Sequence, residues 1–204
     1  RGLPSIMTTR GVAIAVLTVL SILLIMAGEA VLSSFNERLL RAKGAIEPPD
    51  DVIGRMRWVY PLSFVAMGVE GALSGPAPRE VLLWGLALLG FAKALKMWAV
   101  ASLGSRWSYR VLVLPGAPLI RTGPYRFLSH PNYLAVVGEI VSVAAIVGAP
   151  ITGVAATIGF GWLMLARIRI EEAFYFAGRQ AAYAALGLLV MFAAAALDPR
   201  QLRR

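Results

Sequence analysis

Five apolar stretches, separated by connections that gather most of the arginine, set the rhythm of the chain. Gly11 to Gly28 carries no charge. At about 1.5 Å of rise per residue it is long enough for a transmembrane helix, and longer than the apolar region of an ordinary signal peptide. Trp58 to Leu73, Val81 to Val100, Leu134 to Val147 and Ile151 to Ala166 repeat the pattern. Only Gly148-Ala149-Pro150 separates the last two, which demands an antiparallel helical hairpin. Ala181 to Leu197 is also apolar, but short and Ala-rich, and a span there would put Arg200, Arg203 and Arg204 on the face opposite the other basic connections. It is expected to lie in the interface or to pack on the bundle, with a sixth span as the alternative. The pattern predicts an all-α fold: a polytopic transmembrane helical bundle of about five spans, in one domain over 1–204.

Composition strengthens this reading. Of the 204 residues 58% are hydrophobic and 15% charged, and the mean hydropathy is +0.71, so lipid rather than water is the expected solvent. The net charge of +9 would ordinarily point to nucleic acid, but here long apolar segments interrupt the basic residues and no continuous basic stripe forms. The residues cluster instead in alternate connections: Arg38, Arg41, Lys43, Arg55 and Arg57 in 33–57, Arg106, Arg110, Arg121 and Arg126 in 101–132, and Arg167, Arg169 and Arg179 after the hairpin. Under the positive-inside tendency these share the cytoplasmic face. The expected location is a bacterial inner membrane, with membrane lipids as surroundings and no nucleic-acid partner. There is no cysteine and one histidine, His130, which removes thiolate chemistry and clustered-histidine iron sites and leaves no metal expected.

The candidate chemistry is concentrated in Leu119 to Tyr133, LIRTGPYRFLSHPNY. Gly123-Pro124 and His130-Pro131 break any helix there, and Tyr125, Arg126, Asn132 and Tyr133 place polar groups near a membrane edge. His130 alone reads equally well as an interfacial histidine; between Tyr125 and Tyr133 it is suited to sandwiching a purine. After the fifth span comes Arg167-Ile-Arg169-Ile-Glu171-Glu172. Arg167 and Glu171 are i,i+4, the spacing of a simple surface ion pair, but the basic loop ending at His130 returns to the same face and turns the pair into a candidate ligand grip. Lys93 and Lys96 are expected to snorkel toward the cytoplasmic surface. Glu29, Glu70 and Glu139 lie in or beside apolar runs, where they need a partner or a cavity, and Lys93 or Lys96 would serve. Gly159-Phe160-Gly161 lacks the context of a dinucleotide fingerprint and reads as helix packing.

The run GPYRFLSHPNY from Gly123 to Tyr133, followed by a short helical hairpin and RIRIEE from Arg167 to Glu172, resembles the integral-membrane isoprenylcysteine carboxyl methyltransferase family. The likeness covers Trp107 to Glu172, within a core motif region of 101–180. It implies S-adenosyl-L-methionine as methyl donor, bound at the cytoplasmic membrane edge without a soluble nucleotide-binding domain. By the same resemblance Ala117, Pro118, Leu119 and Ile120 line the cofactor, with Tyr125 and the turn His130, Pro131, Asn132, Tyr133 around it. Glu171 takes the methionine amino group, and Arg167 is the catalytic residue facing the acceptor. The family often has histidine where this chain has Ala117 and arginine where it has Ser129. A second likeness, carried by Glu29, Asn36 to Glu47, Tyr60-Pro61 and Arg106 to Leu119, is to a bacterial branch implicated in O-methylation of alkylpyrones.

The resemblance therefore implies an O-methyltransferase acting on a carboxylate or acidic hydroxyl of a lipophilic acceptor, either a prenylated one or an alkylpyrone. The alternatives are a phospholipid N-methyltransferase and, in another class, a non-enzymatic membrane transporter or assembly factor whose charges merely flank its spans.

Overall fold

A computed structural model of the chain describes residues 9–49 and 52–196, with side chains to Ala173. Arg179, counted with the third basic connection, lies beyond the described side chains, and Arg200, Arg203 and Arg204 lie outside the described residues. Five α-helices account for the described fold: α1 (Thr9–Ala42), α2 (Ile53–Ser74), α3 (Arg79–Leu103), α4 (Pro131–Val147) and α5 (Pro150–Ala196). The only extended pairing among the described residues is a single antiparallel bridge, Ile46 with Val113. Three helical stretches, Thr9–Ala42, Arg79–Arg106 and Pro150–Ala173, are long and apolar enough to cross a membrane, and α4 is apolar but shorter.

The helices contain the five expected apolar runs and exceed most of them. Leu24, Trp84, Ile151 and Trp162 are each more than two-thirds exposed, an arrangement that suits lipid contact and would be unfavourable in water. Helix α4 occupies the middle of the bundle, packing mostly against α3 and also touching α1, α2 and α5. Its Ile140, Val143, Ile146 and Val147 join Phe64 and Met67 of α2 and Phe160 and Met164 of α5 in the core. The hairpin forms as expected. Gly148 closes α4 in the left-handed conformation, the amide of Ala149 donates to the carbonyl of Ala144, and α5 starts at Pro150.

The segment from Ala181, expected as a separate interfacial piece, is instead the continuation of α5, one helix of 47 residues. Nothing between Ala166 and Ala196 stops it. The segment contains no proline, and Arg167, Arg169, Glu171 and Glu172 interrupt the apolar pattern without removing a backbone hydrogen bond. Gly159 and Gly161 differ from expectation too: a methyl group at either would meet no described atom within 4 Å, so they mediate no close packing.

The three basic connections meet at one end of the bundle. Arg110 pairs with Glu47 at 2.6 Å and Glu37 at 3.3 Å, Arg41 pairs with Glu47, and the Asn36 amide donates to the carbonyl of Trp107 at 2.8 Å. At the other end Glu70 resolves its own burden. Its carboxylate accepts the amides of Ile151 at 3.0 Å and Thr152 at 2.7 Å and the Thr152 hydroxyl at 2.5 Å, groups that the first turn of α5 would otherwise leave unpaired.

Candidate functional site

The loop between α3 and α4 is shaped by residues that cannot adopt helix. Gly123 has φ +58°, and a Cβ there would sit 1.9 Å from the Ser102 hydroxyl oxygen, so only glycine fits against the end of α3. Pro124 is fully buried, and a short 3-10 turn from Gly123 to Arg126 follows. Farther back, Arg106 donates to the carbonyl of Pro118 at 2.6 Å, and the amide of Tyr109 donates to the Ser33 hydroxyl at 2.8 Å. These bonds fold the loop over the ends of α1 and α3.

Beneath it lies a cavity of about 1130 Å³. Pockets for one small ligand measure roughly 300–1,000 Å³, so the space lies just above that range. Of the expected site residues, Ala117, Pro118, Leu119, Ile120, Tyr125, His130, Asn132, Tyr133, Arg167 and Glu171 all line it. Pro131 does not: it is fully buried as the first residue of α4, where a proline's missing amide leaves no bond unmade.

Glu171 is the convergence point. It accepts the Tyr133 hydroxyl, its other neighbours being Arg167 Nε at 3.4 Å and His130 Nδ1 at 3.7 Å. His130 lies flat on Tyr133, with ring centroids 5.2 Å apart and planes 7° from parallel, so these two rings are closed on one another and leave no slot between them for a purine. The Arg167 guanidinium lies 6.0 Å from the Tyr133 ring centre and donates to the carbonyl of Tyr109. At 6% exposure Arg167 belongs to the interior of the site and not to a solvated surface pair. Burial, with the negative charge of Glu171, pushes the Tyr125 hydroxyl up to about 12, so at neutral pH it remains a proton donor.

The deeper part of the cavity is mostly apolar, with Met26, Val136, Phe160 and Met164 on its wall, and Tyr60, Tyr109 and Lys96 add polar groups there. Lys96 is 3% exposed and pairs with Glu29 at 2.6 Å and Glu139 at 3.4 Å. Lys93 pairs with the same carboxylates at 3.6 and 3.0 Å. The lysines therefore point inward to the acids and do not snorkel. Tyr60, Tyr109 and Trp107 are wall residues that fall within the motifs of the second likeness but were given no site role by the sequence; the readable signal was the pair of lysines and two glutamates in otherwise apolar runs. Two wall residues carry buried polar atoms without a hydrogen-bond partner among the described residues: the Asn132 side-chain oxygen and the Trp107 indole nitrogen.

Comparison with known proteins bears on this geometry. The family described as "Isoprenylcysteine carboxyl methyltransferase (ICMT) family" matches residues 85–176, from α3 through the loop and α4 to Arg167 and Glu171. The chain is 30% identical to the uncharacterized protein YpbQ of Bacillus subtilis over 146 residues, which cover 72% of this chain and 87% of that protein. It is 24% identical to an uncharacterized protein of Haemophilus influenzae over 138 residues, 67% of this chain and 80% of that one. No solved structure matches it significantly. The bundle, the cavity under the GPY and HPNY turns, and these matches together identify the chain as a membrane protein that belongs to the isoprenylcysteine carboxyl methyltransferase family, a family of methyltransferases.

Proposed function

We propose that the protein transfers a methyl group from S-adenosyl-L-methionine to an oxygen of a lipophilic acceptor, at the cytoplasmic edge of a bacterial inner membrane. The observation that carries this reading is the carboxylate of Glu171, held between Arg167, Tyr133 and His130 at one end of a cavity whose other end is apolar. A carboxylate so placed suits the ammonium of an amino-acid-bearing donor. The donor set fits the rest of that molecule: the unpartnered Asn132 oxygen accepts from a purine amine, and the 114–120 loop supplies main chain and apolar contact.

When bound, the sulfonium supplies an electrophilic methyl group and a neutral leaving group. The chain's own residues position and dry the reaction. Arg167 orients the acceptor oxygen, and Met56, Phe160 and Met164 exclude water, the two contributions that matter most for an in-line displacement. An acceptor carboxylate needs no base. The guanidinium must hold such an anion without stabilising it so far that reactivity falls. The lipid tail leaves the apolar end between helices. Neither relative's name states an acceptor, and both a prenylcysteine-type carboxylate and an alkylpyrone-type hydroxyl suit this site.

Incubating purified protein with membrane lipid extract and isotope-labelled methyl donor, followed by mass spectrometry, tests the reading. A lipid labelled on oxygen is the expected product. A label on a phospholipid amine instead identifies an N-methyltransferase, and the absence of both donor binding and label removes the methyltransferase reading.

A further inference from the structure

The bundle gathers four ions, Lys96 and Glu139 buried and Glu29 and Lys93 mostly so, at 16% and 18% exposure. Glu29 of α1, Lys93 and Lys96 of α3 and Glu139 of α4 form a closed set with distances from 2.6 to 3.6 Å, and their two positive and two negative charges cancel. Burying each such ion carries a penalty of several kcal/mol, and apolar residues of similar size often stabilise a fold as well. Charges within a membrane-embedded bundle therefore point to a use beyond packing. Their position relative to the cavity indicates the use. Lys96, Tyr60 and Tyr109 line it, whereas the carboxylates stand behind them: the Tyr109 hydroxyl donates to Glu29 at 3.1 Å, and the Tyr60 hydroxyl donates to Glu139.

We propose that Tyr109 and Glu29 form the proton acceptor for a neutral hydroxyl on the acceptor lipid, a phenol or an enol, with Lys96 beside the oxygen that loses its proton. This rests on the methyl-transfer reading. Moving a methyl group from a cationic sulfonium to an O–H group yields a neutral ether, a neutral thioether and one proton, and an apolar cavity offers that proton no water. In the proposed transfer the acceptor O–H bond breaks and its proton passes to the Tyr109 oxygen. The proton of Tyr109 passes to Glu29, which becomes a neutral acid. The negative charge has then moved from Glu29 to the acceptor oxygen while staying beside the same lysine, so no new charge is created in the dry interior. Methylation removes the charge of that oxygen together with the charge of the sulfonium.

Tyr109 is the better placed of the two tyrosines, because its main-chain carbonyl accepts Arg167, which in turn pairs with Glu171. Tyr60 is packed between Phe64 and Phe160 instead. Burial, and then the charge of Glu29, pushes the Tyr109 hydroxyl far above its ordinary value, so the tyrosine relays the proton without resting as an anion. The groups around Glu29 are Lys93 and Lys96 from α3, Tyr109 from the loop, Tyr60 from α2 and, across the lysines, Glu139 from α4. Arg167 of α5 bears on it through Tyr109.

Proton counting tests this. A 4-nitrophenol carrying a long alkyl chain is added to the detergent-solubilised full chain, below the pH at which the probe ionises in the same micelles alone. Phenolate absorbance, buffer proton release by a soluble indicator, and the infrared band of a protonated carboxyl are followed together. The wild-type protein is expected to give phenolate and a new carboxyl band with no proton released. Glu29→Gln is expected to lose the carboxyl band, and any phenolate it forms must release its proton to the buffer. A probe that does not bind, that stays a phenol, or that releases its proton from the wild-type protein overturns the proposal, as does a carboxyl band that survives in Glu29→Gln. If Glu29→Gln does not fold, the wild-type proton count decides alone. Titration with S-adenosylhomocysteine keeps the two readings apart, since failure there removes the methyl donor and leaves the proton count standing.

Discussion

The shallow and deep ends of the cavity use the same materials, carboxylates beside cations and tyrosines, in different ways. Glu171 is one-fifth exposed, and its partners come from its own helix and from His130 and Tyr133 at the start of α4. Glu139 is fully buried, and its partners come from two other helices, Lys93 and Lys96 of α3 and Tyr60 of α2. A carboxylate within reach of water exchanges one partner for another at little cost, so it can release a contact to a ligand. A carboxylate without that access leaves an uncompensated cation behind if removed. Residues at the shallow end should therefore govern binding, and those at the deep end should govern whether the bundle holds together.

The largest expected effect is on stability. Glu139→Ala leaves Lys93 and Lys96 with one carboxylate between them and should lower unfolding stability by about 3–5 kcal/mol, measured by thermal or denaturant melting in detergent. A change below about 1 kcal/mol, the size typical of an exposed pair, would erase the contrast between the two ends. Next is turnover. Arg167→Ala should lower methyl transfer by about 10²-fold, the scale of a misplaced acceptor, while donor affinity changes less than in Glu171→Gln. Equal loss of donor binding and turnover would reduce Arg167 to a support for Glu171.

The third prediction separates charged from neutral contacts within the shallow end. Glu171→Gln should weaken S-adenosylhomocysteine binding by about 1.5–3 kcal/mol, and His130→Ala by only about 0.5–1.5 kcal/mol, both by calorimetric titration. Unchanged affinity in both variants would move the cofactor elsewhere. The smallest effect concerns the clamp joining the 33–57 and 101–132 connections. Burial opposes ionisation of Glu47, but hydrogen bonds and charge from Arg110 and Arg41 outweigh it and hold the carboxyl below its ordinary range. Its stabilising contribution is therefore complete above the unfolded value of about 4.3 and is lost as pH falls through the lower folded value. Hydrogen exchange at Ile46 and Val113, whose amides form the adjoining bridge, should rise over that acid range relative to Glu47→Gln, which lacks the titrating group.

The same contrast explains what could be read in advance. Hydropathy located five helices, and the Gly148-Ala149-Pro150 turn was legible because so short a link permits only reversal. The shallow site was legible because its residues fall in two short stretches, one on each side of that hairpin. Of the deep cluster the members were legible, as charges in apolar runs with the lysines as candidate partners, but their arrangement was not, since its bonds join residues 43, 67 and 79 positions apart and no local period encodes such pairing. Lys93 and Lys96 read as snorkelling residues because their distance from the membrane edge was visible and their acids' direction was not. The extent of α5 differs from its hydropathy pattern for a simpler reason: a polar interruption at Arg167 to Glu172 ends an apolar run without ending a helix.

Helix α5 carries Arg167 and Glu171, and in addition to its packing against α2 and α4 it is held at the far end, where Glu70 grips the amides of Ile151 and Thr152. Arg167 lies about 24 Å along the axis from that grip, and each residue of a helix advances about 100°. A slip of one residue would swing the guanidinium away from Tyr109 and the carboxylate away from His130. Glu70 thus acts as a register stop, helping to set the azimuth of two side chains at the opposite end of the bundle that it never touches.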